Sequence, residues 1–256
     1  MSLHGVPPQV ITYIVVSVLP ALIAFALLIA ISRIRTTHLW LVPGWLAAAA
    51  LAPAVATFLA VRLLISAFSA LATSGGGVGV VCAGMWEALQ PALFAAYAAC
   101  ALTLITVVIA VRAVINADSE SEGTSRTAAI IAIAVLLFVF AAVAVDTQLF
   151  RNVSGTIVDV IDPNGPKVLS IAQTSQWISS HLILTAAMGV ATSIALIAAV
   201  VITAVMTPKS EPSKQLGLMF TFASVMALIG SVVLAISTQA WCERMSHAAM
   251  TGQIIR

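Results

Sequence analysis

The chain has 256 residues, of which 61% are hydrophobic and 8% charged, with a formal net charge of +2. Soluble domains carry about 25% charged residues, so this surface cannot face water, and the composition excludes a soluble domain in favour of a polytopic membrane protein. The Lys and Arg residues are spread out, which excludes a nucleic-acid partner and leaves them as determinants of membrane topology.

Six segments approach the ~20 apolar residues that a bilayer core requires, at about 11–32, 44–70, 80–115, 127–147, 179–206 and 216–240. They predict an all-α fold, a polytopic membrane helix bundle forming a single membrane domain over 1–256. The first follows "MSLHGVPPQ", which has neither a positive n-region nor a small-residue cleavage site, so it reads as a retained helix. "SRIRTTHLW", with Arg33, Arg35 and His38, leads to the second, whose "FLAVRLLISAF" contains Arg62. "TSGGGVGVV" lacks the Lys-Ser/Thr ending of a phosphate loop and predicts a tight interhelical turn. The third helix opens with "GMWEALQPALFAAY", and its Pro91 is expected near the first turn, where a missing N–H is tolerated.

"RAVINADSESEGTSR" joins helices three and four, and Asp146 reads as a solvated cap of the fourth. Residues 148–178 form the one sizeable loop, long enough to touch a partner. "TPKSEPSKQ", with Lys209 and Lys214, precedes the sixth helix. Placing the three short basic loops in the cytoplasm puts both termini outside. Trp45, Trp86, Trp177 and Trp241 lie at predicted helix ends, where indole rings anchor at the membrane interface.

Polar groups inside a bilayer are costly, which makes each a functional candidate. Counted from the interhelical turn, Arg62 lies about 12 Å deep and Glu87 several Å shallower, so the favoured reading is an intramembrane Arg62–Glu87 charge pair. Arg62 at the outer interface, snorkelling or binding a lipid headgroup, is a second reading. Glu87 as an ion-relay carboxylate, with Gln90, Tyr97 and Thr103 as stations below it, is a third. Cys82, Cys100 and Cys242 show no ligand spacing, and the four histidines form no i, i+3 or i, i+4 pair, so no metal and no cofactor is expected. No loop holds an acid, a base and a nucleophile together, which argues against an enzyme. Rows of small residues, Ala92 to Ala99 in helix three and Ala186 to Ser193 in helix five, favour close helix packing within the chain or in a homo-oligomer.

"SSHLILTAAMGVATSIALIAAVVITAV" (Ser179–Val205) and the Glu-Ala-Leu start of "EALQPALFAAY" resemble the last pore-lining helix of the MotA/TolQ/ExbB proton-channel family. The resemblance implies an oligomeric ring of helices around a partner's helix, powered by an ion gradient. It assigns relay roles to Glu87, His181 and Thr185, with His181 standing at the family's acidic position in one helix and Glu87 keeping the acid in the other. The large cytoplasmic portion of the family is reduced here to short loops. The expectation is therefore a non-catalytic subunit of a larger assembly in the bacterial inner membrane, a degenerate member of that family, whose partners are lipid and other integral membrane subunits. The alternatives are an ion-conducting, energy-coupling member and a small transporter.

Overall fold

The computed structural model describes residues 7–34, 38–74, 78–115 and 214–251, which are helical throughout apart from Pro7. Helix α1 is Pro8–Ile34, and a single 3-10 turn, His38–Leu41, leads into α2, Val42–Ser74. Helix α3 is Val78–Ile115 and α4 is Lys214–Thr251. All four are long and apolar enough to cross a membrane. The expected spans at 127–147 and 179–206, and the loop at 148–178, lie outside the described residues.

The helices outrun the spans expected of them. Helix α4 continues past Trp241 to Thr251, so Trp241 lies within the helix and not at its end. Its last turns, "ERMSHAAM", are polar, yet Glu, Arg, Met and Ala are all good helix formers, and hydrogen bonding within the chain need not stop where lipid does. Helix α3 likewise begins at Val78, which corrects the placement of Pro91: it lies in the helix interior, buried, more than three turns from the start. Its ring removes the donor that the Glu87 carbonyl would otherwise receive. Pro20 and Pro53 sit inside α1 and α2 in the same way, as membrane helices tolerate when neighbours or side chains meet the freed carbonyl.

Helix α3 is the centre of the bundle, packing most extensively on α4 and then on α2, while α1 lies mainly on α2. Three contacts give the direction of α4. Tyr97 meets Gln239, Thr103 meets Ser231 and Val114 meets Gly217, so α4 runs antiparallel to α3. Leu39 also faces Gly217, which brings the α1/α2 turn, the end of α3 and the start of α4 to one end of the bundle. That end carries Arg33, Arg112 and Lys214, three cations and no described acid.

The core is built largely from alanine. Ala48, Ala49, Ala52 and Ala56 of α2 pack with Phe25 and Leu28 of α1, Ala95 and Leu102 of α3, and Phe220 and Ala223 of α4. Side chains this small let backbones approach closely, and the gain is dispersion contact. The outside of the bundle is the reverse: Leu19, Ile23 and Leu27 on α1, and Phe222, Ile229 and Ile236 on α4, are large, apolar and exposed. An apolar solvent suits such a surface, as a lipid-facing helix requires.

Candidate functional site

Polar groups of α3 and α4 meet at two points along the packed face, or seam, between these helices. On α4, Gly217, Ser224, Ser231 and Thr238 recur every seven residues, two helical turns apart, and so form one stripe. Ser224 and Thr238 are fully buried. On α3, Gln90, Thr103 and Thr106 are buried. The seam is crossed by Thr103 Oγ1 and Ser231 Oγ, 3.3 Å apart, and by the Tyr97 hydroxyl, which donates to Gln239 Oε1. Gln239 Nε2 then donates to Glu243 Oε1 at 3.1 Å, so a Tyr97–Gln239–Glu243 chain runs from α3 onto the exposed side of α4.

Most of the seam's hydroxyl protons are engaged locally. Thr103 donates to the Ala99 carbonyl and Thr106 to Leu102 O at 2.8 Å. Ser224, Ser231 and Thr238 each donate at 2.8 Å to the carbonyl four residues earlier. This back-bonding satisfies a hydroxyl in an apolar setting without help from another helix. The seam is therefore a close-packing surface whose polar atoms look after themselves. At its charged end Gly217 has no room for a side chain: a Cβ there would stand 2.9 Å from Val114 Cγ2 and 3.1 Å from Leu39 Cδ1. Gln90 differs from the hydroxyls. Its side chain is 2% exposed and its Nε2 has no partner among the described residues.

Arg62 is exposed on α2 and Glu87 half-buried on α3, the two arms of one hairpin, and no ion pair joins them among the described residues. Trp45 lies in the first turn of α2, as expected, but its indole is 1% exposed and fills the core of the bundle. Trp86 is half-buried. His181, Thr185 and Trp177 lie outside the described residues. The three cysteines are free. Sequence reasoning found Tyr97 and Thr103 but missed Ser231, Gln239 and the rest of the α4 stripe, whose signal was the seven-residue recurrence of small and polar residues. Compared with protein-family profiles, curated proteins and solved structures, the chain matches none.

Proposed function

We propose that the chain is a non-catalytic integral membrane subunit whose helices serve assembly and partner contact. The observation that carries this reading is the α3–α4 seam, close-packed around Gly217 and with its hydroxyls committed to their own helix backbones. Such a seam suits a fixed scaffold, whereas a transporter needs a polar cavity between helices. Six spans with both termini outside, in the bacterial inner membrane, complete the proposal. It is supported by the shared location of the end of α3 and the start of α4, since two further spans between them would return the chain to the same side. Descent from the MotA/TolQ/ExbB family belongs to the proposal through "EALQPALFAAY" alone among the described residues. Purification in mild detergent tests it: the expected result is co-purification with other integral membrane subunits at fixed stoichiometry. A chain that purifies alone and carries ions in vesicles sinks it.

The ion-conducting reading draws on a separate observation, the Tyr97–Gln239–Glu243 hydrogen-bond chain, which starts on the helix that bears Glu87 and crosses to α4. On that reading Glu87→Gln abolishes ion flux in liposomes; flux unchanged by the substitution ends it.

A further inference from the structure

The helices are longer than a bilayer is thick. Helices α2 and α3 have 33 and 38 residues, about 50 and 57 Å at 1.5 Å per residue, against ~30 Å of hydrocarbon. Some part of this hairpin must stand outside the core of the membrane or tilt strongly, and the distribution of charge shows which part.

Charges among the described residues fall on two tiers. One is the cationic end, Arg33, Arg112 and Lys214. The other contains Arg62, Glu87, Glu243 and Arg244. The three-residue link between α2 and α3 puts Arg62 level with Gln90, each about 18 Å from the hairpin tip, with Glu87 about one turn nearer the tip. The Tyr97–Gln239 contact brings Glu243 to within a turn or so of the same level on α4. Between the tiers, α2 runs charge-free from Val42 for about 30 Å and α3 from Arg112 back to Glu87 for about 38 Å, the thickness of a bilayer core with its margins.

Helix α1 gives the same slab independently. It runs about 38 Å from Arg33 to Pro8, and its link to α2 brings Pro8 close to the level of Arg62. Its exposed apolar face, Ile11 to Leu27, fills the interval. On α4 the dense run of exposed apolar side chains from Leu218 to Ile236 gives way to exposed Gln239, Glu243 and Arg244, with exposed Met250 beyond them.

We infer that the second tier lies at the phospholipid headgroups, with exposed Arg62 directed at their phosphates, and that the helix ends beyond it, 63–74 of α2 and 78–86 of α3, project into the aqueous phase. Guanidinium–phosphate contact is a strong, directional interaction, and a tyrosine such as Tyr97 suits the zone just beneath it. The sequence from Ser66 to Gly84 carries no charge, but ten of its residues are Gly, Ser, Thr or Cys, where a lipid-facing helix would carry Leu or Ile. Leaving the tip in the hydrocarbon would instead sink Arg62, Glu87, Glu243 and Arg244 below the surface together.

This inference rests on the membrane-bundle reading, and one experiment separates the two. Cys82, Cys100 and Cys242 are replaced by Ala, single cysteines are introduced by Val80→Cys, Arg62→Cys, Leu104→Cys and Ile229→Cys, and each is spin-labelled in vesicles of phosphatidylethanolamine and phosphatidylglycerol. Collision rates with oxygen and with a water-soluble nickel chelate give depth. Val80→Cys reads aqueous, Arg62→Cys reads headgroup, and Leu104→Cys and Ile229→Cys read deep. Val80→Cys or Arg62→Cys reading as deep as Leu104→Cys overturns the inference, and aqueous values at all four overturn the membrane reading itself. Val80→Cys with Leu104→Cys decides the matter with Arg62 left in place, since both native side chains are exposed.

Discussion

At the scale of single residues, Gly217 has no room for a side chain. A β-carbon added there meets Val114, whose branched side chain has few alternative rotamers. Gly217→Val is expected to destabilise the bundle by about 1–3 kcal/mol through overpacking, and Gly217→Ala by less. Reversible unfolding in mixed detergent micelles reads the difference; equal stability of Gly217→Val and the native chain would mean that α4 does not approach Val114 this closely. Arg62 and Glu87 call for a different measurement. With one exposed, the other half-buried and no ion pair between them, Arg62→Leu and Glu87→Gln are expected to be additive within about 0.5 kcal/mol. A coupling energy well above that in a double-mutant cycle would restore the pair that their similar depth in the hairpin suggested.

At the scale of the helix, the α3–α4 seam distinguishes size from polarity. Because Ser231 and Thr103 hydroxyls already donate to Ala227 O and Ala99 O, removing one of them costs little, and Ser231→Ala is expected within about 1 kcal/mol of the native chain. Ser231→Leu raises the helix propensity but forces the seam open, and is expected to cost more. The same unfolding measurement decides, and the reverse order would mean that the hydroxyl contact between the helices outweighs their packing. Much of this level was legible in the sequence. Runs of Leu, Ile, Val and Ala marked all four described helices, because a bilayer imposes length and apolarity together. Their ends were not legible, because polar residues such as Glu243 and Arg244 continue a helix once it leaves lipid, and Gly79 looks like a loop residue although α3 includes it. The α4 stripe was hidden for another reason: Ser and Thr in a membrane helix can be satisfied by their own backbone, so hydropathy alone gives them no partner.

At the scale of the whole molecule, the bundle makes a prediction about sidedness that needs no assumption about its partners. The α1/α2 turn, the end of α3 and the start of α4 meet at the cationic end. The start of α1, the α2/α3 link and the end of α4 must therefore share the other end. Reporters fused before Pro8 and after Thr251 are expected on the same side of the membrane, and a tag inserted between α1 and the 3-10 turn on the opposite side. Arg33, Arg112 and Lys214 then choose between the two orientations, since cationic loops are retained in the cytoplasm. A periplasmically active phosphatase at both termini is the expected result. A fluorescent cytoplasmic reporter at both termini would invert the orientation and leave the fold intact. Reporters on different sides would break the antiparallel α3–α4 arrangement, and with it the alignment of Arg62, Glu87 and Glu243 on one tier.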